Sequence, residues 1–366
     1  MGPLSGLRVI ELTNLAPVPF GGMILADLGA DVLRIDRPTR SAGEQSPAGP
    51  LDRGKHSLTV DLRDAAGVEQ VLDLVEHADV LLEGFRPGVA ERLGVGPEHV
   101  FGRNARIVYA RMTGWGQTGP LAHTAGHDIN YIAVSGALDL VGRAGQAPLA
   151  PANFLGDFAG GGMLLALGVL AGLFERSRSG EGQVIDAAMV DGAALLTSFA
   201  HGMHAAGMWN APRGENIVDS GAPFYDTYEC ADGKFVALGS MEAKFYQELL
   251  DRLGIDATTL PAQLDPTGWP QVRVALSERL KQRTRDEWAE LFADSDACLS
   301  PVLSPWEAHL HPHHQSRRGF VDVDGLMQPA PAPRFSRTPS AHPQSVVGDA
   351  DSLAQLLSRW RSPGGA

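Results

Sequence analysis

Cysteine is scarce in this sequence. Only Cys230 and Cys298 occur among 366 residues, and neither belongs to a CxxC pair. A disulfide framework needs several paired cysteines and a zinc ribbon needs two such pairs, so both classes are excluded. Two isolated thiols fit a reducing compartment, and we expect a cytoplasmic protein.

Basic charge is also in deficit. Thirty Lys and Arg residues stand against 43 Asp and Glu residues, which gives a formal net charge of -13. Such a field repels phosphate backbones, so we do not expect a general nucleic-acid-binding protein. A polyanionic ligand would need a local cluster of basic side chains.

The features that mark secretion or membrane insertion are missing as well. The N-terminus has no basic stretch followed by a long apolar run. We also find no uninterrupted apolar run of about 18 residues, the length that a bilayer span requires. We therefore expect neither a signal peptide nor a membrane partner.

Several catalytic and cofactor motifs are absent. GxxxxGK[ST], HExxH and GxSxG do not occur, and the first strand-to-helix turn lacks GxGxxG. Phosphate-loop ATPases and zincins are thereby excluded, and a nicotinamide cofactor has no support. The histidine run 309–314 is interrupted by Pro312 and is not closely followed by a carboxylate or cysteine, so it predicts a linker and no metal site.

What the sequence does contain is a regular alternation of short β-branched runs with longer helical stretches over its first third. Repeated βα units of this kind predict a parallel sheet with crossover helices, and thus a Rossmann-like α/β domain. The predicted strands lie within Leu7–Leu12, Ala30–Pro38, Ser57–Leu62, Asp79–Gly84 and Arg106–Gly114.

The remainder of the chain predicts a second domain. Tyr228–Cys230 and Lys234–Leu238 alternate in hydrophobicity around an Ala-Asp-Gly turn, which is typical of a hairpin. A run of small and apolar residues, Asp157–Gly180, predicts a buried helix. We expect a large domain over 1–200, a linker over 201–222, a small α+β domain over 223–300, a returning linker over 301–318, and a tail over 319–366 that completes the large domain with a final helix near Ser352–Arg361.

Basic residues are frequent in the predicted α/β region, and several directly follow strands. Loops at the carboxyl ends of parallel strands are where open α/β sheets bind ligands, and arginine can bind phosphate oxygens in bidentate fashion. Each residue alone fits an ordinary surface position, but together they indicate a phosphate-rich ligand. They are Arg34, Arg37, Arg40, Arg53, Lys55, Arg63, Arg86 and Arg92.

Three polar residues are candidates for catalysis. His127 lies in the Gly-flanked loop Ala125–Tyr131, where an imidazole either exchanges protons near neutral pH or serves as a structural hydrogen-bonding group. Asp157 opens the apolar helix, either as an N-cap or as a functional carboxylate, and the glycines that follow allow close approach to the first turn. Glu242 begins a helix after the hairpin, again with a capping or a functional role.

Four long segments carry a resemblance to a known family. They are Leu4–Pro38, Glu83–Gly94, Tyr109–Leu138 and Asn153–Gly162, and the match continues through the hairpin to His314. These segments resemble the family III CoA-transferases, the CaiB/BaiF family, and within it the racemase branch. The resemblance implies a large domain with a Rossmann-like sheet, a small α+β domain, and an interlocked homodimer.

The resemblance also assigns roles. Members of the racemase branch use a histidine and an aspartate as the two proton-transfer groups, which match His127 and Asp157, and a glutamate of the small domain that bonds the histidine, which matches Glu242. CoA is part of the substrate, so neither a separate cofactor nor a metal is implied. The positions that match the CoA-binding residues are Arg37, Val60, Asp61, Leu62, Arg63, Gly84, Phe85, Arg86, Arg92, Gly126, Asp128, Ile129, Asn130 and Tyr131.

Two reactions remain open at this point. A racemase would invert the α-carbon of a 2-methylacyl-CoA thioester with His127 and Asp157 as acid and base. A CoA-transferase would instead use Asp157 as a nucleophile and would not need the histidine. The retained His127 and Glu242 favour the racemase. Four methionines form either an apolar surface for the acyl chain or part of the core, namely Met189, Met203, Met208 and Met241.

Overall fold

The computed structural model describes residues 2–12, 16–38, 49–346, 358, 360 and 361. Arg40 and most of the predicted final helix, Ser352–Arg361, lie outside the described residues. The chain divides into two compact units. The first is built from Met1–Ala137, Pro151–Leu196 and Pro312–Ala366, and the second from Leu138–Ala150 and Thr197–His311.

A six-stranded sheet forms the centre of the first unit. Its strands are ordered β3-β2-β1-β4-β5-β6 and every neighbouring pair is parallel, as the βα alternation predicts. This order is the doubly wound arrangement in which the chain reverses direction across the sheet between β1 and β4. The strands are β1 (Arg8–Leu12), β2 (Asp31–Asp36), β3 (Lys55–Thr59), β4 (Val80–Glu83), β5 (Val108–Thr113) and β6 (Gln183–Ala188).

Helices cover both faces of this sheet. Alternate residues of one strand enter different cores, since Ile10 packs with Leu33 and Leu81 on one face while Val9 packs with Val80 on the other. Because these strands are buried on both faces, they appear in the sequence as nearly continuous apolar runs. The helices of this unit are α1 (Pro17–Asp27), α2 (Ala65–Val75), α3 (Val89–Arg92), α4 (Pro97–Arg103), α5 (Asp128–Val134), α6 (Leu164–Ser179) and α7 (Met189–Leu196).

A π-helical segment, Phe154–Met163, runs directly into α6. The combined helix is 26 residues long and, by length and composition, apolar enough to cross a membrane, contrary to the expectation that no segment of the chain has this character. The core helix of a globular protein can meet the same criterion, and Leu165 and Val169 are buried in the core of the first unit. The helix is less buried than predicted, because only 39% of its apolar window lies inside.

The second unit is a small α+β assembly. The predicted hairpin is present, with its first strand shifted by one residue and its second strand one residue shorter than predicted, and Gly233 supplies a φ of +73° at the turn. Leu138–Ala150 belongs to this unit rather than to the large domain in which the sequence analysis placed it. The elements are α8 (Ser198–Ala205), β7 (Thr227–Glu229), β8 (Phe235–Leu238), α9 (Ala243–Leu253), α10 (Trp269–Leu280), α11 (Arg285–Leu291) and β9 (Leu299–Pro301).

The chain then returns to the first unit. Helix α12 (Pro312–Arg317) leads into the antiparallel strands β10 (Phe320–Val323) and β11 (Leu326–Pro329). Further along, Trp360 is 2% exposed and packs in a core of the first unit with residues such as Ile10. The C-terminal part of the chain therefore contributes to the large unit.

Candidate active site

A cavity of about 320 Å³ opens in the first unit, lined by loops that follow β4 and β5 and by the start of the long helix. Two of the three predicted catalytic residues, His127 and Asp157, lie on its wall. The two positions are 30 residues apart in sequence, and the fold brings them together at the edge where α/β sheets bind ligands. Other lining residues include Gly84, Arg86, Gly126, Tyr131 and Met189.

His127 is held by its main chain while its side chain stays exposed. It is the N-cap of α5 with an extended backbone, and its main-chain N–H donates to Asn130 Oδ1 at 3.0 Å. The hydroxyl of Tyr131 donates to the carbonyl of Gly126, directly before the histidine. A fixed backbone with an exposed imidazole suits a group that must accept and return a proton.

Tyr131 also explains a glycine in the wall of the cavity. Its ring meets Trp115 edge to face, with 4.8 Å between ring centroids. A Cβ on Gly114 would lie 2.1 Å from this ring, so only glycine fits there. The close contact of Tyr131 with the loop fixes the segment that ends at His127. This segment was predicted to be a loop as far as Tyr131, but α5 begins at Asp128.

Asp157 lies in the first turn of the π-helical segment, a geometry that often occurs at functional sites. Burial raises its pKa, a hydrogen bond from Asn153 Nδ2 at 3.0 Å opposes this, and the negative charge of Asp128 raises the pKa further, while His127 lowers it. The net effect is a raised pKa. A carboxyl group in this environment can hold a proton at a higher pH than an exposed aspartate.

The first turn of this helix is capped by a different residue from the one that the sequence suggested. Asp128 Oδ2 accepts from the main-chain N–H groups of Gly156 and Asp157 at 2.6 and 2.8 Å. The Asp157 carboxylate is therefore not the N-cap. These two N–H groups already have a partner, so they are not available to bind a further anion.

A second cavity of about 260 Å³ lies at the ends of β2 and β3. Phe85 lines both cavities, so the two adjoin through the loop after β4. The guanidinium of Arg63 lies 3.0 Å from the carboxylate of Asp61. Hydrogen bonds from Arg63 lower the pKa of the Asp61 carboxyl group. Other residues on the wall include Arg37, Leu62, Val89 and Leu93. Arginines and apolar side chains line the same cavity, and this combination suits a phosphorylated nucleotide.

Some predicted CoA-binding residues lie elsewhere. Val60 is 4% exposed and belongs to the core beneath the sheet edge. Arg92 is exposed on α3 and does not line either cavity. Asp128, Ile129 and Asn130 also line neither cavity, since Asp128 is turned inward and Asn130 caps the backbone of the preceding turn.

Three members of the predicted basic cluster serve the fold instead. Lys55 is fully buried and its Nζ lies 2.7 Å from Glu11 Oε2. Arg53 binds Asp27 and the Gln328 side chain. Arg34 pairs with Asp36 and Asp52. A buried charge is costly unless it is paired, so these side chains are committed to their partners. The members of the cluster that line the two cavities are Arg37, Arg63 and Arg86.

Glu242, the third predicted catalytic residue, belongs to the second unit. It occupies the N-cap position of α9 with its side chain exposed, and it makes no side-chain capping bond. Of the four methionines, Met189 lines the first cavity and Met241 packs against the core of the second unit. Met203 is half-buried and Met208 is 56% exposed, so neither is a core residue.

Two charged residues of the site were missed from the sequence. Glu83 is fully buried at the end of β4, accepts the main-chain N–H of Phe85 at 2.6 Å, and binds Arg111 Nε at 2.7 Å. Burial raises the pKa of Glu83 and Arg111 opposes this. Arg111 also binds Glu91 on α3. In the sequence, Glu83 and Arg111 could have been recognised because each is the single charged residue within an otherwise apolar strand.

Comparisons with known proteins agree with this geometry. The sequence pattern of CoA-transferase family III matches residues 4–349. The chain is 47% identical to alpha-methylacyl-CoA racemase of Mus musculus and 45% identical to that of Homo sapiens, over 92% of this chain and 87% of each relative.

A solved structure shows the same architecture. The CAIB/BAIF family protein from Brucella suis superposes with a TM-score of 0.83 at 27% identity, covering 98% of this chain and 99% of that one. The predicted Rossmann-like large domain and small α+β domain are thus those of the family. The chain belongs to CoA-transferase family III.

Proposed function

We propose that this protein is a racemase that inverts the α-carbon of 2-methylacyl-CoA thioesters. The observation that carries the proposal is the presence of His127 and Asp157 on the wall of one cavity, in a chain 47% identical to a racemase of this type. The adjoining cavity with Arg37 and Arg63 suits the nucleotide end of CoA. CoA belongs to the substrate, and the reaction requires no further cofactor or metal.

The chemistry follows from the acidity of a thioester. One group removes the α-proton, and the electron pair of the broken C–H bond moves into the carbonyl to form an enolate. The other group then donates a proton to the opposite face of the same carbon. The pair must hold one proton between them, so His127 acts as base when Asp157 is protonated, and the roles exchange for the other epimer.

The environment of Asp157 supports this role. A racemase needs an aspartate that can carry a proton at working pH, and burial raises the pKa of this carboxyl group. A CoA-transferase would instead use the ionised carboxylate as a nucleophile to form a mixed anhydride. The raised pKa of Asp157 is the direction that proton transfer requires, and the retained His127 would have no function in nucleophilic attack.

We further propose that the protein acts as an interlocked homodimer in the cytoplasm, with Glu242 of one subunit bonding His127 of the other. The long helix supports a partner, because Met163, Leu167 and Phe174 are 56–68% exposed on it. Apolar side chains exposed in a row on one helix are typical of an interaction surface. Light scattering should give twice the chain mass of 38.8 kDa.

The proposal is tested with a single epimer of a 2-methylacyl-CoA in deuterium oxide. We expect deuterium at the α-carbon together with approach to an epimer mixture. His127→Ala and Asp157→Ala should each lower the rate by about 10²- to 10⁴-fold, the usual contribution of one general acid or base. The proposal fails if CoA moves to an added carboxylate without exchange and hydroxylamine traps Asp157, which would establish the transferase.

A further inference from the structure

Asp128 occupies an unusual position between the two proton-transfer groups. It follows His127 directly and is 6% exposed. Through Oδ2 it accepts from the main-chain N–H groups of Gly156 and Asp157 at 2.6 and 2.8 Å. The first N–H groups of a helix have no partner within that helix, so a carboxylate from another element binds them strongly. One side chain therefore connects the peptide that carries His127 to the peptide that carries Asp157.

The packing around this carboxylate leaves no room for adjustment. A Cβ on Gly156 would lie 2.5 Å from Asp128 Oδ2 and 2.8 Å from its Cγ. Both are shorter than any normal contact, so the hydrogen bonds to this carboxylate require glycine at position 156. Gly156 is thus required for the contact with Asp128, and the next residue, Asp157, carries the catalytic carboxylate.

The second oxygen of Asp128 points to a role beyond stability. Oδ1 is buried and has no hydrogen-bond partner among the residues that the structure describes. A buried polar atom without a partner costs stability, and more so when it carries charge. If holding the helix end were the only role, an uncharged side chain with one acceptor would serve at lower cost.

We propose that Asp128 is a positioning residue for proton transfer, whose carboxylate fixes the backbone of Asp157 relative to that of His127. The neighbouring contacts reinforce this arrangement. Asn130 Oδ1 accepts the N–H of His127 at 3.0 Å, and the Tyr131 hydroxyl bonds the carbonyl of Gly126. The start of α5 thereby fixes both catalytic segments. A misplacement of about 1 Å between reacting groups can cost about 10²-fold in rate.

The charge of Asp128 has a second consequence. A negative group beside Asp157 disfavours its ionisation, while Asn153 and His127 favour it. The charge of Asp157 in turn contributes to the raised pKa of Tyr131. Removal of the charge at position 128 should therefore lower the pKa of Asp157.

Other charged groups surround the same segment. Arg86 lies on the wall of the cavity and acts on Tyr131, and Asp191 on the adjacent helix α7 is exposed. Arg86 and Asp191 are unchanged in the variants compared, so they cannot account for a difference between those variants in the ionisation of Asp157.

Three variants separate position from charge. Asp128→Ala removes both the acceptor and the charge, and Gly156→Ala displaces the carboxylate without removing it. For both we expect kcat for α-proton exchange to fall about 10²-fold with KM for the acyl-CoA changed by less than about threefold. Asp128→Asn keeps an acceptor for the two N–H groups, so its kcat should fall by less than about tenfold.

The pH profile provides a readout that a merely structural role would not move. In Asp128→Asn the acid limb of kcat/KM should shift to lower pH, because Asp157 then ionises more easily. The shift should occur in both directions of epimerisation, since both use the singly protonated state of the pair. Asp79→Asn is the matched control, because Asp79 also accepts a main-chain N–H, from Arg8 at 2.9 Å, away from the cavity. Gly102→Ala, with no atom near its Cβ, is the control for alanine insertion.

The inference rests on the proposed racemase activity, and the two can fail separately. If the wild type shows no exchange, the proposed function fails. If the wild type exchanges and Asp128→Ala or Gly156→Ala retains kcat within threefold, the positioning role is wrong. An acid limb that stays in place in Asp128→Asn, or that shifts equally in Asp79→Asn, also overturns it. Gly156→Ala keeps the test decisive if Asp128→Ala does not fold.

Discussion

Two aspartates of the large unit show opposite behaviour. The pKa of Asp157 is raised because the carboxyl group is partly buried beside Asp128, whereas the pKa of Asp61 is lowered because the group is exposed and bonded by Arg63. The side chains are chemically identical, so the difference comes from their surroundings. The first cavity therefore holds a carboxyl group that keeps its proton more tightly than usual, and the second holds one that loses it more easily.

The comparison extends to the charged neighbours. The first cavity depends on buried hydrogen bonds that act over short distances and are barely screened by salt. The second depends on arginines such as Arg63, whose side chain is 75% exposed, and such charges contribute weakly and are screened. Substitutions in the first region should therefore alter kcat or stability, and those in the second should alter KM.

The largest effect is expected from the wall that both cavities share. Glu83→Ala removes the acceptor of the Phe85 N–H and one partner of Arg111, which is itself buried. Loss of one partner from a buried pair costs about 3–5 kcal/mol of unfolding free energy. Chemical denaturation measures this loss, and kinetics should show a raised KM together with a lowered kcat.

Glu83→Gln and Glu69→Ala are the controls for that change. Glutamine keeps an acceptor for Phe85, so it should recover part of the stability. Glu69 pairs with Arg103 on an exposed surface, and its loss should leave the unfolding midpoint unchanged. Equal loss in Glu83→Ala and Glu69→Ala would show that the shared wall has no special role.

An intermediate effect is expected in the second cavity. Arg63→Ala should raise KM for the acyl-CoA roughly fivefold with kcat unchanged, because an exposed contact to a phosphate is lost. Inhibition by CoA and by dephospho-CoA, compared at low and high salt, shows whether the lost contact is electrostatic. Arg103→Ala is the control for loss of an exposed arginine. A fall in kcat without a change in KM would contradict the division between the two cavities.

The smallest effect concerns stability and pH. A raised pKa means that the folded state binds the Asp157 proton more tightly than the unfolded chain, so ionised Asp157 costs stability above its folded pKa. Asp157→Asn removes this cost and should raise Tm at pH 8 by about 1–3 °C. The gain should shrink as the pH falls toward about 4, the ordinary pKa of aspartate.

Asp61→Asn is the control of opposite sign. Its lowered pKa means that ionised Asp61 stabilises the fold above about pH 4, and that this contribution is lost as the pH falls through the folded pKa. Its Tm at pH 8 should therefore be equal to or below that of the wild type. A lower Tm for Asp157→Asn at pH 8 would remove the contrast between the two aspartates.

The sequence by itself determined the parallel sheet of the first unit and the hairpin of the second, because both follow from the local period of apolar residues and from turn chemistry. It also identified His127 and Asp157 as candidates and placed arginines after the strands that end at the second cavity. These features depend on residues close together in the chain, or on motifs that a family retains.

Only the tertiary structure decided which charges serve the fold and which face a ligand. Lys55 donates a hydrogen bond to Glu11, 44 positions away, and Arg53 donates one to Gln328, 275 positions away. Asp128 matches a CoA-binding position of the family, and only the structure shows that its side chain holds the peptide of Asp157. A side chain's role depends on which partner burial brings to it, and that partner can lie anywhere in the chain.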